Sequence, residues 1–256
     1  MVKILVIGEL CIDEFIYGEV KRLSPEAPVP VFNPVEKTSN RGMAGNVVSN
    51  LEFLYDDLEV LHWHQTDKIV KSRYSDKTSN HMFIRIDDEK TPCDSLMYLS
   101  PNQRKTLSET DVVIVSDYDK GFLNNDMICE IGKLGKLSII DTKRVITQDI
   151  VDSFDFIKVN KTEYYNNKTI VDDNPKTFLI TKGKEGVVFD NVIYKSPNPQ
   201  DTIDVSGAGD TFVASFTLKY VLSKDIIESI RYSNEVCSDV VNKKGVSLPS
   251  KKYKLK

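Results

Sequence analysis

Short runs of consecutive apolar residues, rich in Val and Ile, recur along the chain at 3–8, 111–116, 137–141, 155–159 and 177–181. Runs of this length with β-branched side chains and little polar alternation predict strands buried on both faces. Between and after them lie predicted helices at 44–55, 124–134, 208–222 and 224–241, the third carrying Phe212, Val213, Phe216 and Tyr220 at helical spacing. Strands and helices alternating in this way predict an α/β fold, a sheet covered on both faces. A second group of strands, at 12–19, 29–35 and 81–86, mixes apolar with polar residues and predicts a small accessory sheet exposed on one face. Between its first two members, Arg22 to Pro30 holds Pro25, Pro28 and Pro30, which exclude a helix and predict a stiff, extended connector.

Composition narrows the reading. With 256 residues, 40% of them hydrophobic, the chain can bury a sizeable core, and with no repeat, low-complexity tract or linker it is expected to form one compact unit. The net charge of −4 supplies no positive field for nucleic acid or anionic lipid, so neither is expected as a partner. Cys11, Cys93, Cys129 and Cys237 lack the spacing of a zinc ribbon, redox pair or disulfide framework, and are expected to be thiols in a reducing compartment. No apolar stretch approaches the ~20 residues of a membrane span, and the N-terminal run is too short for a signal sequence, so the expected location is cytoplasmic. His62 and His64 alternate without acidic or thiol partners and are expected to be structural rather than metal ligands. The lysines of 251–256 are expected to lie in a frayed, solvated tail.

The segment from Asp204 to Phe212 carries the most specific chemistry, because Gly207 and Gly209 stand where an amphipathic helix begins. Glycines let the backbone approach closely, and first-turn N–H groups with the helix dipole favour a multiply charged anion such as a transferring phosphoryl group. Asp210 beside that anion is suited to accept the proton of an attacking hydroxyl, while the amides of Ala208 and Gly209 neutralise charge on the phosphoryl oxygens. An ordinary turn and helix cap would use the same residues without a ligand. No Walker A sequence and no G-x-G-x-x-G after the first strand is present, so neither the P-loop nor the dinucleotide fingerprint competes.

Residues 204–210 resemble the D-T/V-x-G-A-G-D signature of the PfkB, or ribokinase-like, carbohydrate kinases. Other segments agree in order along nearly the whole chain. Gly8-Glu9 through Asp13 and Tyr17-Gly18 resembles the family's opening strand and lid, and Arg22 through Val31 a segment of its heptose-phosphate kinases. Gly42 to Asn46 is similar to the G-G-x-x-N sugar loop, and Ser116 to Gly121 to S-D-Y-x-K-G. Asn160 to Glu163 is similar to N-x-x-E, and Thr181 to Gly183 to T-x-G.

The resemblance implies a ribokinase-like three-layer α/β/α sandwich spanning 1–256 as a single domain, with lid strands from about 12–35 and 68–90. It implies transfer of the γ-phosphate of ATP to a sugar hydroxyl, most closely the C1 hydroxyl of a heptose 7-phosphate. Asp210 is then the catalytic base, and Gly207, Ala208 and Gly209 complete the anion hole. Asp13, Gly42 and Asn46 hold sugar hydroxyls. Asn160, Lys161, Thr162, Glu163, Thr181, Lys182, Gly183 and Asn234 serve ATP, with Mg2+ at Glu163 through water. Asn160 and Glu163 also have the spacing of a helix capping box, and the two roles are compatible. Arg85 and Lys120 are the cations suited to a sugar-borne phosphate, against a default of solvated surface charge. A homodimer through the lid is expected, since an uncovered accessory sheet leaves edges and apolar surface exposed.

Two departures qualify the match. Met43 replaces the second glycine of the sugar loop, and its side chain is expected to push back an amide that should approach the sugar. Between Leu54 and 81–86 neither the usual helix nor its paired strands can be found, and no second activity is expected after the kinase pattern. A catalytically idle nucleotide- or sugar-binding protein, or a kinase for a nucleoside or unphosphorylated hexose, remains the alternative.

Overall fold

A computed structural model describes residues 1–79, 81–89, 92–197, 205–243 and 245–256. Asp204, the first residue of the C-terminal signature, lies outside them, as do 80 and 90 in the expected lid range. The buried runs form β1 (Val2–Gly8), and then, after an inserted segment, β7 (Val112–Asp117), β8 (Ser138–Thr142), β9 (Phe156–Asn160) and β10 (Phe178–Thr181). With β4 (Leu58–Trp63) beyond β1, these strands are parallel, in the order β10-β9-β8-β7-β1-β4. An antiparallel pair, β11 (Val187–Phe189) and β12 (Val192–Tyr194), extends the sheet at the β10 edge.

Alternation along each strand sends side chains to two separate cores. Leu5, Ile7, Val113, Val115, Ile157 and Ile180 face the first. Packed there are α2 (Pro101–Glu109), α3 (Asn125–Leu134), α4 (Gln148–Val151), α5 (Lys161–Asn166) and α6 (Lys168–Asp173), through residues such as Leu107, Ile128, Ile131 and Val171. Ile4, Val6, Ile114, Ile139 and Phe156 face the second, covered by α1 (Ala44–Leu54), α7 (Ala208–Ser223) and α8 (Ile226–Val240). Phe212, Phe216 and Tyr220 stack in succession along α7, and Phe156 meets Phe216 and Tyr220 edge-on, which seats that helix on the sheet. These are the three layers expected.

The lid is a separate four-stranded sheet, β3-β2-β5-β6, built from β2 (Leu10–Leu23), β3 (Pro30–Met43), β5 (Val70–Asp76) and β6 (Met82–Asp88). The Pro-rich segment is not an extended connector. It is the tip of a long β2–β3 hairpin, closed by the Ser24 N–H on the Val29 carbonyl at 2.8 Å. Prolines suit the tip because they preset turn dihedrals, and Pro30 can open β3 because β3 is an edge strand.

The compressed segment after α1 does contain strands, β4 and β5, but no helix among its described residues. Glu59, Lys71, Ser72, Arg73 and Ser75 hide both strands from an apolar pattern; pairing with β1 and β2 creates them. The basic C-terminus is docked, not frayed. The Leu255 N–H donates to the Leu54 carbonyl at 2.8 Å, and the Tyr232 hydroxyl donates to the Tyr253 carbonyl. All four cysteines are free. Among the described residues, no helix is long and apolar enough to cross a membrane.

Candidate active site

The parallel strands end toward the lid, and the first turn of α7 lies where two cavities meet. One, of about 390 Å³, is lined by Thr181, Gly183, Ala208, Gly209, Phe212, Asn234 and Cys237 among others. Its size and mainly apolar walls suit a nucleotide-sized ligand. The other, of about 200 Å³, lies under the lid and is lined by Asp13, Gly42, Asn46, Lys71, Arg73, Arg85, Tyr118, Gly207 and Asp210 among others. Ala208 and Gly209 belong to the first cavity, Gly207 and Asp210 to the second. Four consecutive residues therefore wall both.

Gly207 caps α7 with φ 77°, and a Cβ there would stand 2.6 Å from the Asn46 amide nitrogen. Only glycine meets both conditions comfortably. The Ala208 N–H closes a turn on the Val205 carbonyl at 3.2 Å, so it is less available to an anion than expected. The Gly209 and Asp210 N–H groups belong to a first turn with no preceding turn to bond to. Beneath them lies Lys158, whose Nζ would be 3.0 Å from a Cβ on Gly209 and is paired with Asp141 at 2.8 Å, both side chains buried. The sequence reading missed Lys158 because it sits inside the apolar run of β9.

Asp210 is buried, with Oδ2 accepting from Asn46 Nδ2 at 3.0 Å and Oδ1 from the Tyr118 hydroxyl at 2.7 Å. Burial raises its carboxyl to about 6, against the lowering effect of those two hydrogen bonds. At neutral pH the group is ionised yet close enough to titration to take a proton, the condition of an effective base. Asn46 is oriented by Asn50 one helical turn later, whose Nδ2 donates to Asn46 Oδ1 at 3.1 Å.

Of the expected sugar-binding residues, Asp13, Gly42, Asn46 and Arg85 all reach the second cavity; Lys120 does not. Its ammonium pairs with Glu89 at 2.6 Å outside the lining. In its place β5 supplies Lys71, opposite Asp13 in register, and Arg73, opposite Arg85 and ion-paired with Asp13. Met43 adopts a φ of 55°, and its buried side chain packs with Cys11, Ile69 and Tyr118 beside the cavity. The following N–H, of Ala44, donates to the Glu9 carbonyl at 2.9 Å.

On the nucleotide side, Thr181, Gly183 and Asn234 line the cavity, although Asn234 also braces β12 by donating to the Tyr194 carbonyl at 2.9 Å. Lys182 instead lies over the Tyr164 ring, and Lys161 and Thr162 are exposed away from the lining, Lys161 facing Glu185. Asn160 and Glu163 form the capping box of α5 in full. The remaining Glu163 oxygen pairs with Lys143 at 2.6 Å, and Lys143 also stands 3.6 Å from Asp141 Oδ1, a buried oxygen with no hydrogen-bond donor. Burial lowers the Lys143 ammonium's pKa, but Asp141 and Glu163 outweigh it and hold the group above the ordinary lysine range. Among the described residues, no three His, Cys, Asp or Glu side chains converge as a metal cage. A magnesium ion carried mainly by phosphates and water needs only one or two carboxylates. Asp141 and Glu163 fit that role, since they already share one cation between them.

The family model for the pfkB family carbohydrate kinases matches residues 100–252, more than half of the chain. The chain belongs to the pfkB carbohydrate kinase family. Its pfkB relatives include the bifunctional protein HldE of Helicobacter pylori, 31% identical over 98% of this chain, and that of Sulfurimonas denitrificans, 28% identical over 95%. The chain spans 65% of the length of the first and 61% of the second. Its fold is similar to ribokinase of Thermotoga maritima, with TM-score 0.73 at 15% identity, covering 99% of this chain and 98% of that one. It is equally similar to phosphofructokinase-2 of Escherichia coli, with TM-score 0.73 at 14% identity, covering 99% and 97%. The expected ribokinase-like sandwich and lid are therefore those of a pfkB kinase.

Proposed function

We propose that this chain transfers the γ-phosphate of ATP to a hydroxyl of a phosphorylated sugar, with the C1 hydroxyl of a heptose 7-phosphate the preferred acceptor. The observation that carries the reading is the shared wall: the α7 first turn borders both cavities, so a phosphoryl group crossing it moves in line from one ligand to the other. Asp210 orients the acceptor hydroxyl and takes its proton. The N–H groups of Gly209 and Asp210, with Lys158 behind them, offset charge on the transferred group. Asp141 and Glu163 would hold a magnesium ion, which when bound would supply charge neutralisation on the ATP phosphates. Asp13 and Asn46 bind sugar hydroxyls, and the lid excludes water that would otherwise hydrolyse ATP. Residues 1–256 act together as one kinase domain.

A phosphorylated acceptor is favoured because Lys71 and Arg73 reach the cavity from β5 and Arg85 from β6; Arg73 is paired with Asp13 and Arg85 with Asp87 at 2.7 Å, so among the described residues Lys71 is the cation left for a sugar-borne phosphate. An acceptor without phosphate leaves Lys71 with no ion pair among the described residues, while Arg85 keeps Asp87. Mass spectrometry of a sugar-phosphate panel incubated with ATP should show one phosphorylated product and matching ADP; ADP with no acceptor dependence would refute the proposal. Lys71→Ala and Arg85→Ala should each raise the KM for the phosphorylated acceptor by about 10- to 100-fold, the value of one charge-assisted hydrogen bond. Their kcat/KM for an unphosphorylated analogue should stay unchanged.

The lid face away from the cavity supports a homodimer. Ile84 and Ile86 alternate with Arg85 on β6 and are 54% and 47% exposed, with Met82 and Val35 also exposed on the lid. A second copy of the lid would cover this apolar surface. Light scattering at micromolar concentration should give the dimer mass, and Ile84→Glu the monomer; a monomeric native protein would exclude the arrangement.

A further inference from the structure

Tyr118 belongs to the S-D-Y-x-K-G stretch, yet nothing so far explains why a tyrosine should stand there. Its hydroxyl is 2.7 Å from Asp210 Oδ1, and its ring forms part of the acceptor cavity wall. Burial and the neighbouring Asp210 charge raise the phenol far above its ordinary range, so it remains a protonated donor at any working pH.

The loop carrying it is held with unusual firmness. Glu9, just after β1, is fully buried and turns its carboxylate on this loop: Oε2 accepts the Tyr118 N–H at 2.8 Å, and Oε1 accepts those of Lys120 at 3.0 Å and Phe122 at 3.4 Å. Behind the loop, buried Asp117 accepts from Arg144 Nε at 2.9 Å, and Arg144 Nη2 donates to the Leu123 carbonyl at 2.7 Å. Between these anchors the chain turns through positive φ at Asp119 and Gly121. A buried carboxylate spent on three backbone donors is costly unless the placement matters. What it places is the phenol.

We propose that Tyr118, set in position by Glu9, is a positioning residue for Asp210: its hydroxyl holds Oδ1 while Asn46 holds Oδ2, which fixes the carboxylate at the wall of the acceptor cavity, and it favours the ionised carboxylate. Its consequence for turnover rests on the kinase reading, but its effect on the carboxyl itself does not. Around Asp210 stand Asn46 on α1, Cys11 on β2, Asp141 on β8, Lys143 after β8 and Lys158 on β9, with Asp13, Lys71, Arg73 and Arg85 lining the same cavity, and Tyr118→Phe removes none of them. Losing a donor to the charged form raises a carboxyl pKa.

The test is a carboxylate 13C NMR titration of the full chain, with the Asp210 resonance assigned by its absence in Asp210→Asn. In Tyr118→Phe the Asp210 midpoint should rise by about one pH unit, the size of one such hydrogen bond. Replacing Tyr118 by 3-fluorotyrosine, a stronger donor of nearly the same shape, should lower it, and keeps the test open if the Phe variant does not fold. Glu9→Gln, which spares only one acceptor oxygen, should shift the midpoint in the Phe direction. In turnover, the acid limb of kcat should move with the midpoint while the KM for ATP stays constant, and Tyr118→Phe should cost nothing further in an Asp210→Asn background. An unmoved Asp210 midpoint in the tyrosine variants overturns the proposal whether or not the protein phosphorylates a sugar. Absence of product from native protein defeats the kinase reading instead.

Discussion

Asp210→Asn should lower kcat by about 1,000-fold, within the range of a lost general base, while calorimetry finds ATP affinity within twofold of native. It should also make the protein more stable. The Asp210 carboxyl is raised to about 6 from an ordinary 3.8. The native state therefore binds a proton more readily than the unfolded chain. The stability this contributes is complete below about pH 4 and lost as pH rises through 6, so at pH 7 the buried charge is a net burden. Removing it is worth on the order of 2 kcal/mol, a Tm rise of several degrees. Native kcat should correspondingly fall as pH drops through about 6, because the protonated carboxyl can no longer accept the hydroxyl proton. Native-like turnover in Asp210→Asn, or a lowered Tm, would remove the carboxylate from the role assigned to it.

Lys158→Met should be the most destabilising single change in the site. It strips Asp141 of its 2.8 Å partner in a buried setting, leaving only the Lys143 ammonium at 3.6 Å from the other oxygen. Breaking one side of a buried pair costs about 3–5 kcal/mol, a drop of roughly 10 °C in Tm for a chain of this size. ATP affinity should fall too, because the cation behind Gly209 is gone. The double variant Lys158→Met, Asp141→Leu separates the effects. With both charges replaced by apolar groups, urea unfolding should recover most of the lost stability, whereas ATP affinity measured by calorimetry should not return. Recovery of both would make Lys158 a purely structural cation.

The elements read from the chain were those with a local physical signature. Continuous β-branched runs can only be doubly covered strands, and β1, β7, β8, β9 and β10 are found within a residue or so of their expected places. The turn at Gly207 was legible because its left-handed backbone at a helix start suits glycine, and Asn160 and Glu163 form the capping box their spacing allowed. β4 and β5 escaped because their side chains are largely polar and their stability comes from strand partners far away in sequence. The Pro-rich tip was read as straight because prolines exclude a helix without saying whether the chain reverses.

By itself the sequence determined the layered α/β core and the glycine turn that opens α7 beside Asp210, since each follows from dihedral limits and the pattern of apolar burial within a few consecutive residues. Which charges act together was decided only by the tertiary structure. Lys120 met Glu89 and left the cavity, Lys71 and Arg73 entered it, and Lys158, Tyr118 and Glu9 acquired their partners across gaps of many residues. Electrostatic interactions depend on separation through space and on the polarity of what lies between. Neither exists until the strands have paired and the water has left.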